Sequence, residues 1–62
     1  MKYFVDMQDR FWDLVRIEDR EIIYTGTYEE VGIKEDDDQY TNKLDVFIEE
    51  KFGITPDEWE IG

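Results

Sequence analysis

Eighteen carboxylates and seven cationic side chains share a chain of 62 residues, leaving a formal charge of -11 with no His to moderate it. A compact state must form against its own electrostatic repulsion, and with little interior to do it. A chain of this length builds one small core, since a second would need about 50 more residues. Residues 1–62 are therefore read as a single compact domain. Net charge this high is typical of disordered segments, but those are poor in aromatic and β-branched side chains. This chain is 40% hydrophobic and 16% aromatic, so it is expected to fold. The margin is thin, and a second copy or a bound partner would widen it.

The residue types that are missing exclude whole classes of chemistry. The chain has no Cys, Ser, His or Ala, so disulfides, zinc sites with Cys or His ligands, and Ser or Cys nucleophiles activated by His are absent. The four glycines, at 26, 32, 53 and 62, are scattered and form no phosphate loop. Paired carboxylates do general acid and base work in glycosidases, but 62 residues hardly enclose the pocket that chemistry needs. The expectation is a non-catalytic protein without a cofactor. The charge also disfavours direct binding to nucleic acid or an anionic membrane. Asp6 interrupts the opening run before a signal-peptide core can develop, and no apolar run approaches the roughly 18 residues of a membrane span. A cytoplasmic location follows as an expectation.

Alternation and β-forming residues predict strands over residues 2–7, 11–17 and 22–27. A loop at Glu18 to Glu21 would set Ile17 opposite Ile22 and Val15 opposite Tyr24, placing Phe11, Asp13, Val15 and Ile17 on the core side. Thr27-Tyr28-Glu29-Glu30 matches a capping box, predicting a short helical turn over residues 28–32 that Gly32 ends. The clearest element is a helix from about Gln39 to Phe52. Tyr40, Leu44, Phe47, Ile48 and Phe52 recur at helical spacing, Asp37 or Asp38 caps the start, and Gly53 supplies the stop. Thr55-Pro56-Asp57-Glu58 reads as a second capping box opening a helical turn over 56–61, with Ile54 and Trp59 as its staple. The sum is an α+β domain in which about three antiparallel strands pack against one main helix.

The charge is unevenly divided. Residues 1–26 hold six acids and four bases, whereas residues 27–62 hold twelve acids and three bases. On a helical wheel Asp45 and Glu49 share one flank with Asp38, and Glu50 lies on the far side. Glu35, Asp36 and Asp37 extend this surface from the connector, and Glu29 and Glu30 adjoin it. Carboxylates within one or two Debye lengths of about 8 Å act partly as a single negative surface. Val46 falls among these charges, where a solitary helix would place a polar residue. Either the segment carrying Trp59 covers it, or it is an apolar anchor in an acidic interface. Trp12 and Leu14 pose the same question for the second face of the sheet. An EF-hand reading that starts at Asp36 fails, with Tyr40 at position five, Thr41 in place of Gly at six and Phe47 in place of the bidentate Glu. No metal site is expected.

Two functional readings remain open beside a bland one, in which the acids only form a solvated face. In the first, fixed carboxylates stand in for phosphates, and a basic nucleic-acid-binding protein or enzyme takes this surface instead of DNA or RNA. The contact residues would be Glu29, Glu30, Glu35, Asp36, Asp37, Asp38, Asp45, Glu49 and Glu50, with Val46, Trp12 and Trp59 as apolar anchors. In the second, a small accessory or scaffold protein dimerises or binds a partner through a sheet face bearing Trp12 and Leu14. In size and composition, though in no motif, the chain resembles the phage-encoded nucleic-acid mimics that inhibit restriction, CRISPR or DNA-repair enzymes. That resemblance implies a DNA-mimic inhibitor, an anti-CRISPR or anti-restriction phage protein acting in the host cytoplasm.

Overall fold

The computed structural model describes residues Met1 to Gly62. Strands β1 (Tyr3–Met7), β2 (Phe11–Arg16) and β3 (Glu21–Thr27) are followed by the short helix α1 (Tyr28–Val31) and the main helix α2 (Tyr40–Phe52). A 3-10 turn, Pro56–Glu58, then leads into a last strand, β4 (Trp59–Ile61). The protein is an α+β domain whose four strands run β3-β2-β1-β4 across one sheet. No helix is long and apolar enough to cross a membrane.

The sheet has one strand more than expected, and it is mixed. The helical turn expected over 56–61 stops at Glu58, because Trp59 already has extended backbone. Residues 59–61 instead pair parallel to β1, with Tyr3 opposite Trp59 and Val5 opposite Ile61. The Lys2 and Gly62 amides, donating to Glu58 O and Val5 O, extend this pairing at both ends. Thr55 caps nothing with its side chain; its hydroxyl donates to Asp57 at 2.5 Å and lowers that carboxyl's pKa.

The hairpin register also differs from the expected one, and with it the buried face. Arg16 lies opposite Glu21 and Val15 opposite Ile22, while Leu14 lies opposite Tyr24, so Ile23 is the extra residue of a bulge. A bulge shifts the alternation of its strand by one residue. Ile23 and Tyr24 consequently both pack on the core, together with Trp12, Leu14 and Val5. Of the face expected to be buried, Val15 and Asp13 are buried at 6% and 8% exposure, but Phe11 and Ile17 are 41% and 42% exposed and none of the four joins the core cluster. The turn, now Ile17 to Arg20, is held by Arg16, whose guanidinium bonds Asp19 at 2.7 Å and Glu21 at 2.8 Å. The hydrogen bond from Arg16 keeps the Asp19 carboxyl at a pKa of about 2.

The two short helical signals have their basis in local chemistry. Thr27 Oγ1 accepts from the Glu30 amide at 3.2 Å, and the Glu30 carboxylate accepts from the Thr27 amide at 3.1 Å. This is the reciprocal capping box of α1, which ends at Gly32 in the left-handed region. Gly53, at φ 70, ends α2 in the same way. The expected Asp37 or Asp38 cap of α2 is displaced by one position. Gln39 is the N-cap, without a side-chain bond, and Asp37 accepts from the amides of Gln39 and Lys34 in the turn before the helix.

Helix α2 lays Leu44 and Ile48 on Val5, Trp12 and Leu14, and Ile54 and Trp59 close the same cluster. Aromatic rings lock the layers together. Trp12 meets Phe47 edge-on at 5.8 Å, and Tyr24 meets Phe52 at 5.3 Å. Such pairs add about 0.5–1.5 kcal/mol each beyond burial. Trp12 can lie here only because Gly26 is opposite it. A Cβ at position 26 would stand 2.8 Å from the Trp12 ring. The Trp12 indole N–H donates to Thr27 O at 3.1 Å. That of Trp59 is the one buried side-chain polar atom without an acceptor.

Candidate acidic interface

Because α2 buries Leu44 and Ile48, its opposite face is turned to water. Val46 sits on that face at 58% exposure, so the C-terminal segment does not cover it. Its neighbours at helical spacing are Asn42, Lys43, Glu49 and Glu50, and Asp45 is adjacent. Asp45 is half-buried along the flank, whereas Glu49 and Glu50 are exposed. Four residues of helical rise separate Asp45 from Glu49 by about 6 Å along the axis. None of the three takes part in an ion pair. The three ion pairs of the molecule use only Asp19, Glu21 and Asp37, and the other fifteen carboxylates have no cationic partner.

The connector contributes a second group of acids. Glu35, Asp36 and Asp38 are exposed, and Asp36 holds a left-handed φ of 58. Asp9 of the β1–β2 turn and Lys34, Glu35, Asp36 and Asp37 of the connector line an open groove of about 690 Å³ together with the half-buried Met7, Tyr28, Ile33 and Tyr40. Tyr28 fixes the groove's shape, because its hydroxyl sits against the carbonyls of Gln8 and Phe11 and ties α1 to the β1–β2 turn. Burial and the nearby carboxylates Asp9, Asp6 and Asp13 raise the Tyr28 pKa, so the phenol stays a neutral donor.

Two of the expected contact acids are engaged within the fold. Asp37 is bound by Lys43 Nζ at 2.5 Å as well as by the two amides described above, and these bonds lower its carboxyl pKa to about 2. Glu30 closes the capping box and also accepts from Tyr24 OH at 2.9 Å, which raises the tyrosine's pKa. Lys51 pairs with no acid and lies 5.2 Å over the Tyr24 ring. Glu29 is exposed on α1.

Of the expected anchors, Trp12 is fully buried and Trp59 nearly so, and Leu14 is buried with them. All three belong to the core, Trp12 and Leu14 because their face of β2 packs against Leu44 and Ile48 of α2, and Trp59 because β4 pairs with β1. A partner cannot reach them, so Val46 alone keeps the anchor position. The groove went unseen in the sequence because Asp9, Tyr28 and Tyr40 meet only when the hairpin turn, α1 and the connector converge. No family model, no curated protein and no solved structure matches this chain.

Proposed function

We propose that the protein is a small acidic binding protein, without catalytic activity, that occupies the basic nucleic-acid groove of a DNA- or RNA-binding enzyme and so inhibits it. A CRISPR or restriction nuclease in the cytoplasm of a phage-infected host is the type of target that fits. The carrying observation is the outer face of α2, where Asp45, Glu49 and Glu50 surround the exposed Val46 without cationic partners. An apolar centre with a charged rim is the layout of a protein-binding hot spot. The unpaired acids supply what the Lys and Arg of such an enzyme ordinarily meet along a phosphate backbone. The groove between Tyr28 and Tyr40 adds aromatic faces beside Asp9, Glu35 and Asp36, a setting suited to an arginine side chain.

The test uses the immobilised protein to capture partners from a lysate of the cognate host at low salt, eluted along a salt gradient. Nucleic-acid enzymes are expected to dominate, with affinity falling steeply as salt rises. The protein should compete with duplex DNA or RNA for a purified partner. Asp45→Lys combined with Glu49→Lys should weaken binding by at least about tenfold. Binding that survives both high salt and this double reversal would refute the reading.

A further inference from the structure

Every helix packs on one side of the sheet, so the other side has no partner within the chain. Its composition follows from the register, because directly opposed residues point to the same face. Ile22 is opposite Val15, Val15 opposite Phe4, and Phe4 opposite Glu60, so an apolar row crosses three strands. None of Phe4, Phe11, Val15, Ile17 and Ile22 belongs to the core cluster or packs on it. Ile22 is 55% exposed and Phe4 half-buried, Val15 between them is only 6% exposed, and Phe11 and Ile17 lie exposed at the two ends of the same face.

The charges bordering this row are Lys2 on one side, Asp6 and Asp13 on the other, and Glu60 at its β4 end. Two residues along β1 from Phe4 lies Asp6, directly opposite Asp13, and neither carboxylate has an ion-pair partner. Asp13 is largely buried, its one side-chain bond being from Thr25 Oγ1 at 2.6 Å. Acids set opposite one another in a sheet repel. Two residues the other way from Phe4 lies Lys2, whose backbone pairs with Ile17 and Glu58 and so continues the alternation of β1. Lys2 is exposed and also without an ion-pair partner.

We propose that this face binds a second copy of the chain. A twofold axis lying in the interface and crossing the strands along the Ile22, Val15 and Phe4 row maps the row onto itself and reverses the strand direction. Lys2 and Asp6 stand about 7 Å either side of that axis, two residues at strand rise. The operation therefore lays Lys2 of each copy over Asp6 and Asp13 of the other, and sets the two exposed Glu60 side chains against each other at the β4 edge. A different partner would need its own cation at that one position, whereas a second copy carries one there by symmetry. The main acid load also permits the pairing. Each α2 lies on the far side of its own sheet, so the two helices end up about 30 Å apart, several Debye lengths at physiological salt. Four strands about 4.8 Å apart and about five residues long bury roughly 650 Å² over both copies, below the size of a stable dimer and in the range of a weak, reversible contact.

The test is sedimentation of the whole chain from about 10 µM to about 1 mM, the range a weak interface spans. The mean mass is expected to rise from 7.6 kDa toward twice that value. Ile22→Glu should remain monomeric throughout, with an unchanged circular dichroism spectrum because Ile22 lies outside the core cluster. Lys2→Asp and Asp6→Lys should each weaken association by about tenfold, the effect of two symmetry-related pairs, and the two together should restore it. The Asp45→Lys, Glu49→Lys protein should dimerise as the parent does, which separates this proposal from the reading of α2. A monomer at all concentrations, a dimer indifferent to Ile22→Glu, or a charge exchange that restores nothing would each overturn the proposal.

Discussion

The two halves of the molecule handle the same electrostatic problem in opposite ways. In the sheet half, the acids beside the β2–β3 turn are tied to Arg16, and the open face is largely apolar. In the helical half, twelve acids face three bases, and only Asp37 has a cationic partner, Lys43. Lys51, the cation best placed to quench the end of α2, lies over the Tyr24 ring instead. Three of the seven cations, Arg16, Lys43 and Lys51, thus hold turns and layers together, and the outer face of α2 is left negative. The lesson is that the surplus charge follows the layering of the fold: it collects on the side that the sheet does not occupy.

The two halves share one core, so the largest effects should come from breaking it on either side. Trp12→Ala removes the largest fully buried side chain, at a cost of about 3–5 kcal/mol. A 62-residue domain has a total stability of only about 3–9 kcal/mol. Near-ultraviolet circular dichroism should show loss of fixed aromatic packing, and Ile48→Ala, from the helix side, should lower the melting temperature in the same cooperative transition. A helix band that survives Trp12→Ala intact would mean that α2 folds independently of the sheet. Gly26→Ala is the next step down. The added methyl meets the rings of Trp12 and Tyr24 at 2.8 Å, and overpacking of this kind costs about 1–3 kcal/mol in thermal or urea unfolding.

The smallest effect sharpens the electrostatic contrast. The folded Asp37 carboxyl has a pKa of about 2 against an ordinary 3.8, because Lys43 and two amides favour its charged form. A lowered folded pKa gives stability that is complete above the unfolded value and is lost as pH falls through the folded one. Urea midpoints followed from pH 5 to pH 2 should therefore decline more steeply in the parent than in Asp37→Asn. Asp19, held down to a similar value by Arg16, contributes a decline over the same window from the sheet half. Parallel curves for Asp37→Asn and the parent would show that the Lys43 pair adds nothing to the helical half.

What could be read in the sequence was whatever is settled within a few residues. The stripe from Tyr40 to Phe52, its Gly53 stop and the capping box at Thr27 each depend on spacings of three or four, and all three are present in the structure. The exposure of Glu49 and Glu50 follows from the same wheel. The rest needed partners distant in sequence. β2 carries apolar residues on both faces, so only the packing of α2 decides that Trp12 and Leu14 go inward, and the bulge at Ile23 brings Ile23 and Tyr24 to the same side. The strand at Trp59–Ile61 follows a proline turn and has too few residues to show alternation. The inward binding of Asp37 depends on the reach of Lys43, six residues further on in the first turn of α2.

That last strand has a consequence for how the molecule comes into being. Trp59 must find Tyr3 across nearly the whole chain, and it brings the last wall of the core with it. During synthesis the hairpin and α2 can leave the ribosome and still lack their closing edge until residue 61 has cleared the exit tunnel. A chain cut before Trp59 should lack this edge and remain sensitive to protease.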